Sequence, residues 1–400
     1  MKLLCGLKFL FVCFLSLFFS VASAQVKVRL FSLQVPELIV FSVTYGLYEV
    51  DTFKGEVFLL FKGEPLIITR YNNKLAVKPR NQTGFICDSI RFSGKTGDDY
   101  FSLMTNGKLP VRQNYSDDLE CFADMETLVL INNCNIEKYI AGVVRAEGGT
   151  NKNIEYFKSQ AVIARTYMYK YFDKHLADRY NVCDNTHCQA FNGLSTDSVV
   201  NLAVSETRGL VILAPDSSLI IAAFHSNCGG ETCSSEDVWL TSQPYLKKVI
   251  DPYCLSSLHA KWEKSISLKE WSDYIKKSGY NELPFDPKAF NFVQNNRLTD
   301  YKSGLFTLAL RSIRAENNLK STFFSVVIEG DSVKLKGRGY GHGVGLCQEG
   351  SMVMAEKGFN YKQIINFYYQ GVIISDIKNA VILPAGNSLN LSQEIGPQAP

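Results

Sequence analysis

Residues 135–171 read NIEKYIAGVVRAEGGTNKNIEYFKSQAVIARTYMYKY, and the reading of the whole chain turns on them. Ile136, Tyr139, Ile140, Val143 and Val144 fall at i, i+3, i+4, i+7 and i+8, the spacing of one buried helical face, with Asn135 placed to cap its start. At about 100° per residue, eleven steps from Ile136 return near the starting direction. Glu147 therefore continues the apolar stripe just before Gly148 and Gly149 end the helix. After an Asn153 cap, Ile154, Phe157, Ala161, Ala164 and Met168 share the face of a second helix, and Arg165 lies at its edge. The stretch predicts a helical hairpin with a carboxylate on its inward side. Two readings follow. Desolvation penalises the charged carboxylate and raises its pKa into the range useful for a general acid. Alternatively, Glu147 pairs with Arg165 across the hairpin and does no chemistry.

Outside the hairpin, composition and patterning set the frame. Four hundred residues at 46% hydrophobic and 20% charged suffice for one large domain or two ordinary ones. A net charge of +3, without a basic stripe, argues against a nucleic-acid partner. Residues 1–24 read as a secretory leader: Lys2 and Lys8 are the charges, Phe9 to Val21 is apolar, and Ala22-Ser23-Ala24 is a small-residue cleavage site. An uncleaved anchor is the alternative, and no further membrane span is expected; the protein is expected to be exported, to the periplasm, the envelope or outside the cell. Cleavage leaves nine of the 11 cysteines, an odd number, so at least one thiol of an exported monomer stays free, binds metal or pairs with another chain.

The expected class is α+β. Short runs rich in Val, Ile, Phe and Thr, such as Val26 to Phe31, Leu38 to Val43, Val57 to Phe61 and Pro65 to Thr69, make residues 25–130 a β-rich segment. Residues 131–375 form the region that carries the motifs, and 376–400 a polar tail. Further strands are expected at Gly209 to Leu213, Leu219 to Phe224 and Phe323 to Ile328, with helices at Leu268 to Gly279 and Leu308 to Asn317.

Three more constellations carry chemistry. Between Gly337 and Gly345 glycine holds every second place, leaving His342 flanked by bare backbone; the run lacks the Lys-Ser/Thr of a phosphate loop. Either something bulky approaches this backbone, or the run is a tight turn with an exposed His. Phe224-His225-Ser226 leads to Gly229-Gly230 at a strand end; His225 and Ser226 point to opposite faces and make no dyad. His175, Cys183, His187 and Cys188 are dense enough in soft ligands for zinc, and a Cys183–Cys188 disulfide competes with that reading.

Taken in order, these motifs make the chain similar to the SpoIID/LytB family, named after stage II sporulation protein D. The likeness runs from Tyr139-Ile140-Ala141-Gly142 through Glu147, then Gln160-Ala161 to Tyr167, Cys183 to Gln189, Phe224-His225-Ser226, Val238-Trp239 and Pro244-Tyr245-Leu246. It ends on the glycine run, Gly345 to Gly350 and Phe367-Tyr368-Tyr369, so it spans roughly residues 131–372. Departures stand at Cys228, where a small hydroxyl residue is usual, near Cys347, where Ser is, and at Gly148-Gly149, which replace a Met-Pro.

The resemblance implies a SpoIID-like catalytic region with a glycine-rich groove, and a lytic transglycosylase that cleaves peptidoglycan between N-acetylmuramic acid and N-acetylglucosamine, leaving 1,6-anhydro ends. Glu147 takes the catalytic position. Gln160, Arg165, Tyr167, Ser226, Gly229 and Gly230 would contact the glycan strand, as would Trp239, Gly341, His342, Gly343 and Gln348. One structural zinc would sit on His175, Cys183 and Cys188. The chemistry is consistent with one carboxyl group: it protonates the glycosidic oxygen, then takes the proton of the sugar's own C6 hydroxyl, so no second acid is required. A non-catalytic glycan-binding activator of a cell-wall amidase is the competing role. A zinc protease would need an HExxH, which is absent.

Overall fold

Along Leu38–Tyr45 buried and half-buried side chains alternate, the period of two that one sheet face turned to a core requires. The computed structural model describes residues 24–381 except 35, 56, 81, 107–109, 125–126, 150–152, 240 and 282–285. The expected leader, apart from Ala24, and the tail beyond Val381 lie outside the described residues. Within them, twelve strands precede the hairpin: β1 (Gln25–Arg29), β2 (Leu38–Tyr45), β3 (Tyr48–Asp51), β4 (Val57–Leu60), β5 (Pro65–Tyr71), β6 (Lys74–Pro79), β7 (Phe85–Cys87), β8 (Ser89–Gly94), β9 (Tyr100–Thr105), β10 (Arg112–Ser116), β11 (Asp118–Asp124) and β12 (Thr127–Asn135). One sheet runs β1-β12-β11-β8-β3-β4 and the other β10-β9-β2-β5-β6-β7, while β13 (Val182–Cys183) adds to the first sheet parallel to β1. The two sheets face each other through aromatics. Phe41 of β2 stacks on Phe92 of β8 at 3.9 Å, and Tyr48 of β3 meets Phe101 of β9 edge-on.

β12 runs without a break into α1 (Ile136–Glu147), so the boundary drawn at residues 130/131 falls inside a strand. Asn135 is the last residue of β12 and the cap of α1: its side chain accepts from the Glu137 and Lys138 amides. Then come α2 (Ile154–Lys170), capped by Asn153, and α3 (Ser198–Glu206). Tyr139, Ile140, Val143, Tyr156, Val162, Val200 and Val204 of these helices belong to the same buried cluster as the sandwich. Gly142 is an unusual residue for the middle of a helix, and its reason is contact. A Cβ there would lie 2.4 Å from the Gly193 carbonyl and from the Phe191 ring, so only glycine lets residues 191–193 press on α1.

A second core was not legible as a separate unit. Lys261–Ser267, Ser332–Arg338 and Phe324–Glu329 form a three-stranded antiparallel sheet, covered by the Leu268–Lys277 helix and closed over Trp271, Ile275, Tyr301, Leu310 and Val326. The expected elements at 268–279, 308–317 and 323–328 are present within a residue or two at each end. The run 219–224 differs: only Phe224–His225 pairs in a ladder, in parallel with Leu346–Cys347. The architecture is α+β. Among the described residues no helix is long and apolar enough to cross a membrane.

Candidate functional site

Glu147 ends α1, half-buried, with its carboxylate turned to the segment that Gly142 admits. The Ala190 amide donates to Glu147 Oε1 at 2.7 Å. Burial pushes the carboxyl up to about 7, against the opposing pull of that single backbone hydrogen bond. Gln348 clamps the helix end: its Nε2 donates to the Glu147 carbonyl at 3.0 Å and to Gln160 Oε1 at 3.3 Å, satisfying a carbonyl the last helical turn leaves open. The Gln160 amide nitrogen and the Tyr156 hydroxyl, both buried, have no hydrogen-bond partner among the described residues. Tyr156 lies near enough to Glu147 that the carboxylate, after burial itself, opposes ionisation of the phenol; at Tyr167 burial and the neighbouring thiols come before the same charge. A carboxyl raised into this range is equipped to give a proton to a bound oxygen and take one back.

Arg165 is placed otherwise than expected. Fully buried, its guanidinium grips the Glu137 carboxylate with Nε at 3.0 Å and Nη2 at 2.6 Å, and donates to the Leu210 carbonyl at 3.0 Å. The bidentate pair joins the first turn of α1 to α2 and to the strand that follows α3. Arg165 neither neutralises Glu147 nor reaches a surface where a glycan could touch it. Tyr167 is buried too, its hydroxyl directed at the His187 carbonyl at 3.5 Å.

The glycine run packs closely on the rest of the chain. Its glycines admit the protein's own chain: a Cβ on Gly345 would lie 2.1 Å from the Ala223 carbonyl, one on Gly341 2.8 Å from His225 Cβ, and one on Gly343 2.9 Å from the Arg297 guanidinium. His342 is 8% exposed, packed between the rings of Trp239 and His225, with Nδ1 accepting from the Val344 amide at 3.0 Å. Burial, then Arg314, pushes its imidazole down to about 3, so it is a buried, neutral group rather than an exposed one. Gly229 and Gly230 turn with positive φ against Arg338 and Leu255. Ser226, nearly buried, accepts the Glu349 amide on its carbonyl at 3.0 Å. Of the eleven expected contact residues, Gln348 bonds to Glu147 itself, and Gln160 bonds to Gln348. Sequence reasoning missed Ala190 and Tyr156; Gly142 inside a helix was the available signal for the first.

His175, Cys183 and Cys188 do meet, and His187 joins them: one ligand atom from each lies within 4.8 Å of the others. Cys188 Sγ is 3.5 Å from His175 Nε2, and Cys183 Sγ is 3.6 Å from His187 Nδ1. The thiols are free rather than bridged. Cys183 is held well below the ordinary thiol range by its hydrogen bond with Cys188, which is raised in turn. Asp178 lies 3.6 Å from His175 Nδ1, where a carboxylate fixes a ligating imidazole. Two sulfurs and two nitrogens at these separations suit a closed, four-coordinate metal.

The profile of the family described as SpoIID, stage II sporulation protein, matches residues 124–213, which contain α1, α2, Glu147 and this cluster. An uncharacterized protein of Brachyspira hyodysenteriae is 30% identical over 366 residues, 88% of this chain and 93% of its own. The amidase enhancer of Bacillus subtilis is 28% identical over 289 residues, 59% of this chain and 40% of its own. Stage II sporulation protein D of the same species is 29% identical over 264 residues, 62% and 76% respectively. The profile match spans the hairpin, Glu147 and the Cys/His cluster, and the Brachyspira relative extends over 88% of the chain; the protein belongs to the SpoIID family.

Proposed function

We propose that the protein is an exported lytic transglycosylase of peptidoglycan in which Glu147 is both acid and base. The observation that carries this is a desolvated carboxyl at the end of α1, pushed up to about 7 by burial with a single backbone donor on it, at a helix end that Gln348 clamps. Protonated Glu147 gives its proton to the glycosidic oxygen as the bond to C1 of the muramic sugar breaks. Positive charge builds on that ring, and the newly charged carboxylate stabilises it. The same carboxylate then removes the proton of the C6 hydroxyl, whose oxygen closes on C1 to give the 1,6-anhydro sugar. Glu147 returns to its acid form and no water is consumed. Gln348 and Arg165 act as positioning residues, the first on the Glu147 carbonyl and the second on α1 through Glu137.

His175, Cys183, His187 and Cys188 would hold a zinc ion with no open position, supplying fold stability to the loop between α2 and α3 rather than chemistry. The relative named amidase enhancer supports a second reading, a glycan-binding activator of a wall amidase. Digesting intact and peptide-stripped peptidoglycan, with mass analysis of the new ends, separates the two: anhydro ends from wild type and none from Glu147→Gln are expected. Stimulation of an amidase by both forms, with no anhydro product from either, would establish the second reading instead.

A further inference from the structure

Cys228, Asp251, Cys254 and Cys347 are all fully buried, and one ligand atom from each lies within 4.8 Å of the others. None belongs to the cluster between α2 and α3. They come from three separate places: the turn after Phe224–His225, the segment leading into the Cys254–Ser256 turn, and the cap of the Gln348–Glu356 helix. Cys228 Sγ stands 3.4 Å from Cys254 Sγ and 3.2 Å from Asp251 Oδ2. A tetrahedral ion with bonds of about 2.3 Å to sulfur and 2.0–2.2 Å to oxygen sets its ligand atoms roughly 3.5–3.8 Å apart. An iron–sulfur cluster spreads its cysteines over separate irons and needs a wider cage.

The surroundings are those of ligands rather than of packing thiols. Cys347 Sγ accepts the Cys228 amide at 3.3 Å and the Gly350 amide at 3.4 Å, which fix where its sulfur points. Asp251 is held by the Tyr368 hydroxyl at 3.0 Å on Oδ2 and by the Tyr253 amide at 2.8 Å on Oδ1. Gly350 leaves room for this: a Cβ there would lie 2.3 Å from both Asp251 Oδ2 and the Tyr368 hydroxyl. A buried carboxylate among three sulfurs is costly without a counter-charge, and no Lys or Arg of the described residues forms an ion pair with it. Oriented ligands with their own hydrogen-bond partners are what a metal centre requires.

We propose that Cys228, Asp251, Cys254 and Cys347 hold a second structural zinc ion. It ties the 224–230 turn and the Cys254 turn to the start of the helix whose first residue, Gln348, clamps Glu147. The site stands independently of the reaction assigned to Glu147. The test is zinc per chain in the full protein, expressed with zinc and purified without chelator. Two equivalents are expected in wild type, one in Cys254→Ala, and one in the Cys183→Ser/Cys188→Ser double variant. If the variants fail to fold, zinc K-edge absorption on wild type decides. With both sites filled, the mean is about 2.5 sulfurs per zinc, halfway between the two and three cysteines of the two sets. One equivalent with about two sulfurs per zinc, or mapping that shows Cys228 bridged to Cys254 or Cys347, overturns the proposal.

Discussion

Replacing Glu147 by Gln tests the electrostatics of the site apart from its chemistry. The wild-type carboxyl titrates near 7 in the folded chain, and near 4.5 when free of it. Between those values the folded state binds the extra proton, so wild-type stability falls as pH rises through the window. At 1.36 kcal/mol per unit, the shift amounts to about 3 kcal/mol by pH 8, which is the cost of holding a charge at a desolvated helix C-terminus. Gln keeps the volume and most of the hydrogen-bonding capacity of the protonated acid and carries no charge. The variant should lie within about 1 kcal/mol of wild type at pH 5 and exceed it by about 3 kcal/mol at pH 8, or roughly 4 °C in melting temperature for a chain of this size. All other titrating groups are common to both proteins and cancel in the difference. Denaturation of both proteins at pH 5, 6, 7 and 8 is the assay. Parallel curves, or a variant less stable at pH 8, would refute the desolvated carboxyl. In the same preparations turnover should fall by 10²- to 10⁴-fold or more with no anhydro product, since general acid–base assistance is of about that size. Full turnover by the variant would refute the catalytic assignment alone.

Wild-type cleavage should itself decline above about pH 7 as the acid form of Glu147 is lost, which a pH–rate profile on peptide-stripped glycan would read. Arg165→Met should cost about 3 kcal/mol, because it strands the Glu137 carboxylate, while adding Glu137→Gln should recover most of the loss; equal melts for single and double variants would contradict the pairing. Gly345→Ala should destabilise strongly, since its Cβ would meet the Ala223 carbonyl at a backbone φ of +71, and a normal melt for that variant would deny the close approach. Exhaustive chelation should lower the melting temperature in wild type more than in Cys183→Ser/Cys188→Ser; equal shifts would place the metal elsewhere.

What could be read in advance follows the range of the interactions concerned. The hairpin was legible to the residue because caps and apolar stripes act within a few positions: Asn135 and Asn153 accept from amides two or three residues on, and Gly148 ends α1 where the stripe does. Strand runs in the first third were legible for the same reason, through alternation. Partners set by tertiary contact were not. Arg165 sits on the expected helix edge, yet it chooses Glu137, 28 residues away, because the turn pitch brings the first turn of α1 beside it while Glu147 lies at the other end of that helix. The alternating glycines correctly announce a close approach, and sequence alone does not name what approaches; the Ala223 to Gly229 segment lies against Gly339, Gly341 and Gly345, and Arg297 against Gly343. Cys228 and Cys347 looked like scattered departures from a family pattern for the same reason. Separated by 119 positions, they acquire a common chemistry only when the parallel pairing of His225 with Cys347 sets the Cys228 amide on the Cys347 sulfur. In this fold the acid is written locally, and the groups that hold it in place are written at long range.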